Sequence, residues 1–390
     1  METIELPVVK GFRFAGVAAG LKKSGAADLG AIVADQVVTA AAVFTRNVVK
    51  AAPVVLAAQR VAGGHARAVL ANAGCANACT GAPGMSAAKA TTRALARALG
   101  CSPSEVLPAS TGVIGALLPA DTVNAAIPAL VADLREDNAM AFARAICTTD
   151  RWPKTAHHQR DGATVVGIAK GAGMIHPDMA TTLAFLMCDA RATAVTLRRA
   201  LRMATEATFN RVTVDGDTST NDTIVAMCSG AAGGPALGAS TLAGMFFPVL
   251  DALARSIVAD GEGSEHVVTI TVEGCASHRA ARAIATTIAT SPLVKTALHG
   301  QDPNWGRILA AAGRAGVDFD PGRASITVGD VPIVARGMAV GAEAEASAKT
   351  RMARPTYEIV VRLGAGAFRA SYVTCDLGHA YINVNANYRS

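Results

Sequence analysis

Residues 170–187 constrain this chain more than any other stretch. Lys170-Gly171-Ala172-Gly173-Met174-Ile175-His176-Pro177-Asp178-Met179-Ala180 is a glycine- and proline-bearing loop that runs straight into an apolar segment, 181–188, opened by Thr181 and Thr182. Ahead of it, Asp161-Gly162 turns the chain into residues 163–168, which read as a buried strand. Strand, loop, strand is therefore the local frame. Gly171 and Gly173 permit backbone angles that other residues resist, and Pro177 restricts His176 before it. A loop of this kind can press the Ala180 carbonyl against the Thr181 hydroxyl. Strain on the order of 1–3 kcal/mol would help an N-to-O acyl shift to an ester, which water then hydrolyses. The break would free the α-amine of Thr181, whose reference pKa of about 7.7–8.0 lets it serve as base to its own hydroxyl near neutral pH. The plainer reading is a threonine set at a strand start for its β propensity.

At 390 residues the chain is too long for one ordinary core and fits two domains. Hydrophobic residues make up 51% and charged residues 17%, which excludes disorder and calls for a large interior. Aromatics are only 4% and alanine is abundant, so the long alanine-rich stretches read as packed helices. The net charge of +6 is spread among both signs, with no basic patch or stacking aromatics of the kind a nucleic-acid surface uses. It suits small anionic substrates. Glu2, Glu5, Lys10 and Arg13 leave no room for a signal-peptide core at the N-terminus.

The uncharged run 223–250 exceeds the roughly 18 residues that raise a membrane question. Gly230, Gly233-Gly234-Pro235, Gly238 and Pro248 read as turns within it, so no membrane span is expected. Of the eight cysteines, only Cys75 and Cys79 are close together, and no second pair completes a zinc pattern. They read as reduced and buried, in a cytoplasmic protein.

Periodicity and turn residues place short strands at 12–14, 31–34, 41–44 and 68–71. A helix follows at 86–99, capped by Ser86 and ended by Gly100. Further helices are expected at 121–134, where Pro128 is a kink point, and at 138–146, 195–209, 240–258 and 279–289. Strands are expected at 181–188, 211–214, 266–272, 324–328, 357–363, 370–374 and 381–384. Asp302-Pro303-Asn304-Trp305-Gly306 is a dense turn cluster.

Several short motifs could carry chemistry, each with an ordinary alternative. Ser110-Thr111-Gly112-Val113-Ile114-Gly115 could offer donors to a developing oxyanion, or be a plain Ser-Thr-Gly turn. Lys170 could bind a carboxylate or be a solvated loop residue. Glu262, between Gly261 and Gly263, could accept an amine or be a solvated turn carboxylate. Thr148 lies in Thr148-Thr149-Asp150, and the chain closes on Asn385-Ala386-Asn387-Tyr388-Arg389-Ser390, which alone reads as a frayed tail.

Together with Met179-Ala180-Thr181, these motifs make the chain similar to the ornithine acetyltransferase (glutamate N-acetyltransferase) family of arginine biosynthesis. Further family-like blocks at 72–81, 215–222 and 291–296 carry no assigned role, and the resemblance spans essentially the whole chain. It departs at Thr182, where the family often has methionine or leucine. Strand alternation should point Thr182 to the opposite face, with no catalytic role.

The resemblance implies self-cleavage between Ala180 and Thr181 into α and β chains that stay associated. Thr181 would be the nucleophile, and the Thr111 hydroxyl with the Gly112 N–H the oxyanion donors. Thr148, Lys170, Thr181, Glu262, Asn385 and Ser390 would bind substrate. The expected reaction moves an acetyl group from N-acetylornithine to glutamate through an acetyl-threonine. No cofactor or metal is expected, acetyl-CoA as a second donor is left open, and a higher oligomer of αβ units is implied.

The implied fold is a layered α/β sandwich akin to self-cleaving, aminopeptidase-like N-terminal-nucleophile folds. It would occupy residues 1–285, with a smaller C-terminal α/β domain over 286–390. The rivals are a self-cleaving aminopeptidase or amidase, which passes the acyl group to water, and a protein that cleaves itself only to mature.

Other motifs fail on inspection. The acidic run 215–222 lacks the sixth-position glycine and distal glutamate of a calcium loop. Gly171-Ala172-Gly173 has no following Gly-Lys-Ser/Thr. His157-His158 has no partner at ligand spacing and reads as a solvated turn.

Overall fold

The computed structural model describes residues 6–176, 182–364 and 366–387. The chain divides into two compact units, Met1–Asn210 with Asp217–Ile257, and Arg211–Gly216 with Val258–Tyr388. Residue 285, the expected end of the first domain, falls inside a helix of the second unit, and the division runs at Ile257/Val258. The segment Arg211–Gly216 joins the second unit through a long-range strand pairing that no local pattern announces.

In chain order the elements are β1 (Phe12–Val17), β2 (Leu29–Phe44), α1 (Ala52–Val61), β3 (His65–Cys75), α2 (Gly81–Leu99), β4 (Val106–Val113), α3 (Ala120–Ala132), α4 (Ala139–Ala145), β5 (Lys154–Arg160), β6 (Ala163–Lys170), β7 (Leu183–Cys188) and α5 (Ala194–Ala207). Then come β8 (Val212–Thr213), β9 (Thr223–Cys228), α6 (Ala239–Ala259), β10 (Val267–Cys275), α7 (His278–Ala289), α8 (Pro292–His299) and α9 (Trp305–Gly313). The chain continues through β11 (Ser325–Val328), β12 (Val331–Ala335), β13 (Met338–Ala339), α10 (Ala342–Met352), β14 (Thr356–Arg362), β15 (Phe368–Cys375) and α11 (His379–Asn387).

The first unit is one sheet in the order β4-β3-β2-β9-β7-β6-β5, with β1 paired to β2. The runs 31–34 and 41–44 turn out to be parts of the single strand β2. Its ladder with β3 shifts register between Val33 and Val38; its first half pairs β1 and β3, Val38 and Thr39 still pair β3, and Thr39–Phe44 pairs β9. The sheet therefore folds over itself. Ile32, Val69 and Leu107 from one half share a core with Val166, Ile168, Phe185 and Val225 from the other, and Phe142 of α4 meets Phe185 edge-on at 5.2 Å.

Helices cover both outer faces. Leu95 of α2 and Val123 and Leu130 of α3 pack on Ala31, Val33 and Leu70. On the other side α6 lies against β6, where a Cβ at Gly167 would come within 2.4 Å of Val249. Each such fully buried aliphatic side chain contributes roughly 1.5–3 kcal/mol. This is a layered α/β sandwich.

The second unit is a seven-stranded sheet, β13-β12-β11-β14-β10-β15-β8. Alternating Val268, Ile270 and Val272 of β10 meet Ala281, Ile284, Ala285 and Ile288 of α7, whose spacing is that of one helical face. It too is α/β.

Three expectations need correction. Pro248 is no turn: it lies within α6, where Leu242, Phe246, Val249 and Leu253 bury one continuous face that outweighs a proline costing about 3 kcal/mol. Among the described residues α6 is the one helix long and apolar enough to cross a membrane, and that face is spent on the sheet. Residues 381–384 are helical, not strand. Asn385 Nδ2 donates to the Tyr381 carbonyl at 3.0 Å and Asn387 Nδ2 to that of Asn383 at 2.9 Å, so local bonds win over β propensity. His157 and His158 stand in the edge strand β5, not in a turn.

Smaller shifts follow the same physics. α2 begins at Gly81 with Thr80, not Ser86, before it, because Pro83 fits a first turn whose N–H groups are unpaired anyway. It ends at Gly100, as its sequence indicates.

Candidate active site

Thr111 and Gly112 sit at the end of β4, so the Ser-Thr-Gly motif is the close of a buried strand and not a free turn. Lys170 ends β6, on the other half of the folded sheet. The fold-over brings them together: Lys170 Nζ donates to Thr111 Oγ1 at 3.0 Å, with each residue only 9% exposed. A hydroxyl that accepts from an ammonium must send its own proton elsewhere, so Thr111 is left as a polarised donor. Gly112 has φ +126°, and a Cβ there would lie 2.3 Å from the Gly74 carbonyl carbon. Only glycine fits that place.

Behind Lys170 lies a charged cluster that sequence inspection missed. Asp150 Oδ1 accepts from Lys154 Nζ at 2.6 Å, with both side chains fully inaccessible, and from the Gly171 N–H at 2.7 Å. Its Oδ2 accepts the Thr148 N–H at 2.8 Å. Burial alone would raise this carboxyl. The Lys170 and Lys154 charges, with the hydrogen bonds, outweigh burial and hold it at about 2. Asp150 thereby ties Thr148, Lys154 and the Lys170–Gly171 strand end into one assembly. Beside it the Cys147 thiol is pushed up to about 12, by burial first and then by Asp150. The clue lay in Thr148-Thr149-Asp150 with a lysine four residues on, but nothing local shows that Gly171 closes the ring.

The residues just before β7 and β9 complete this side. Thr182 spends its hydroxyl on the Lys170 carbonyl. Asp222 is buried, and among the described residues its Oδ1 has no hydrogen-bond partner. Burial pushes its carboxyl well up. The Thr45 hydroxyl, the Thr182 amide, the Lys170 charge and the Ser219 amide pull the other way.

In the second unit, Glu262 and Asn385 are brought together: Asn385 Nδ2 donates to Glu262 Oε2 at 2.9 Å. Glu265, His299 and Asp376 also meet there, but His299 Nδ1 and Asp376 Oδ2 already bond directly at 2.7 Å. Ala180, Thr181 and Ser390 lie outside the described residues. The geometry on the first unit supplies a buried ammonium, a hydroxyl aimed away from it and a glycine backbone. Such a set holds negative charge on an oxygen.

A family model described as the ArgJ family matches residues 13–390. The arginine biosynthesis bifunctional protein ArgJ of Geobacter sulfurreducens is 46% identical over 391 residues, covering 98% of this chain and 100% of that protein. Its counterpart in Desulfotalea psychrophila is 45% identical over 391 residues, with 98% and 100% covered. Among solved structures, the arginine biosynthesis bifunctional protein argJ of Bacillus halodurans is 34% identical. It covers 52% of this chain and 98% of its own, with a TM-score of 0.50.

Proposed function

The chain belongs to the ArgJ family, and from that premise we propose that it is a self-processing acetyltransferase of arginine biosynthesis. The bond between Ala180 and Thr181 opens by acyl shift and hydrolysis, leaving Thr181 with a free α-amine. Its hydroxyl attacks the acetyl carbonyl of N-acetylornithine while the α-amine takes the proton. Charge on the carbonyl oxygen is met by the Thr111 hydroxyl and the Gly112 N–H. Collapse expels ornithine, whose nitrogen receives the proton, and leaves acetyl-Thr181. The neutral amine of glutamate attacks that ester, the acetyl group moves to it, and the threonine hydroxyl is restored. Ping-pong kinetics follow.

The observation that carries this reading is the Lys170–Thr111 contact at 3.0 Å, which gives the proposed oxyanion donor its direction. Losing one such donor costs about 10²–10³ in kcat in acyl transfer. Thr148, Lys170, Thr181, Glu262, Asn385 and Ser390 are assigned to substrate binding. The hydrogen bond between Glu262 and Asn385 supports placing those two at one subsite. All eight cysteines are free, which supports a cytoplasmic location. The α and β chains are taken to remain together, in a higher oligomer of αβ units.

The test is product analysis. With N-acetylornithine alone, the C-terminal fragment should gain the mass of one acetyl group, and added glutamate should remove it as N-acetylglutamate. Acetate as the sole product would make the protein an amidase. Absence of any acetyl-enzyme would leave self-cleavage as its only chemistry. Acetyl-CoA in place of N-acetylornithine tests the second donor.

A further inference from the structure

Two family-like blocks without a role, 72–81 and 215–222, meet at the strand end that carries Thr111 and Gly112. Asn221 Nδ2 donates to the Ala76 carbonyl at 2.7 Å and to the Ser110 carbonyl at 2.8 Å, while its Oδ1 accepts the Thr220 hydroxyl at 2.6 Å. Asn72 Oδ1 accepts the Ser110 hydroxyl at 2.6 Å, and its Nδ2 donates to the Cys75 carbonyl at 2.9 Å. Asn72, Ser110, Thr220 and Asn221 are all buried. In the same place the β3–β4 ladder shifts register at Cys75, and the Gly112 backbone presses on Gly74 and Cys75.

Thr111 and Gly112 are thus held from both sides. On one, Asn221 fixes the carbonyl of the preceding residue. On the other, Asn72 fixes the Cys75 carbonyl and so the backbone against which Gly112 rests. A primary amide is the one side-chain group of this size that can donate to two carbonyls and accept from a hydroxyl at once. Resting on the acetyltransferase reading above, we propose that Asn221, supported by Asn72, is a positioning residue that fixes the Thr111 hydroxyl and Gly112 N–H where the oxyanion forms. A fixed donor pair needs no reorganisation as charge develops, and a displacement of about 1 Å can cost 10²-fold.

The experiment uses Asn221→Asp, which keeps shape but turns an oxygen toward a carbonyl oxygen. Single-turnover acetylation by N-acetylornithine is measured on processed enzyme and normalised to the folded fraction, with substrate Kd measured alongside. The acetylation rate constant should fall about 10²-fold or more while Kd stays within about threefold. A merely structural role would shrink the active fraction and leave the rate constant of the remainder intact, and that result overturns the proposal. If Asn221→Asp gives no folded, processed enzyme, Ser110→Ala removes one hydroxyl of the same network and should slow acetylation about tenfold at unchanged Kd. A wild-type rate in that variant overturns the proposal as well. A wild-type chain that forms no acetyl-enzyme would instead sink the acetyltransferase reading, and this inference with it.

Discussion

Replacing Asp150 by asparagine should unfold this protein far more readily than a change of one atom suggests. Lys154 is fully inaccessible and Lys170 nearly so, and Asp150 is the carboxylate between them. Its carboxyl stands at about 2 against an ordinary 3.8, which corresponds to stability on the order of 2 kcal/mol at neutral pH. Because the folded value is the lower one, that contribution is present above about pH 4 and is lost as pH falls toward 2. The neutral amide would also take this ion pair from the buried Lys154 ammonium and the nearby charge from Lys170, and breaking a buried pair from one side costs about 3–5 kcal/mol. For a unit of this size that is a fall in Tm of about 6–20 °C. Differential scanning fluorimetry of Asp150→Asn, and of the double variant with Lys154→Met, measures it. The double variant should recover about half the loss, since the ammonium that faced the lost carboxylate is gone. A fall under about 2 °C in the single variant would refute the clamp, and no recovery in the double would refute its electrostatic origin.

Other outcomes follow from single contacts. Gly112→Ala forces a Cβ to 2.3 Å from the Gly74 carbonyl carbon at φ +126°. It should cost about 2–6 kcal/mol, from backbone strain plus overpacking, read as a lower urea midpoint. Glu262→Gln weakens a charge-assisted contact in the proposed subsite. It should raise KM for N-acetylornithine roughly 10–100-fold while self-cleavage proceeds. Asp222→Asn tests whether that carboxyl is neutral when folded. A raised folded value gives wild-type stability that is complete in acid and fades as pH rises, so the variant should match wild type within about 1 kcal/mol at pH 4 and gain on it by pH 7. A loss above about 2 kcal/mol at pH 7 would mean an ionised Asp222.

The sequence was most legible where one element satisfies itself locally. The helix ending at Gly100, the strand 163–168 and the amphipathic face of α7 all declared themselves through spacing and caps. The motifs were legible one by one but their pairing was not: Thr111 with Lys170, and Glu262 with Asn385, are hydrogen-bonded pairs that only the fold brings together. What stayed hidden depends on distant partners. β9 is a central strand that reads as the start of an apolar run, because its two neighbours, β2 and β7, come from elsewhere in the chain. Asp150 shows its worth only once Gly171 and Lys170 arrive beside it, and Asn221 only once Ser110 and Ala76 do. α10 was missed although its first turn holds Glu343 and Glu345 and its last Lys349 and Arg351, the charge order a helix dipole favours.

Everything proposed for the chemistry turns on whether the chain opens itself ahead of Thr181. Denaturing mass spectrometry of freshly purified protein measures that directly, on wild type and on Thr181→Ala. Two fragments should appear for the wild type, the second beginning at Thr181, and a single unbroken chain for the variant. An unbroken wild-type chain that still transferred acetyl groups would contradict it.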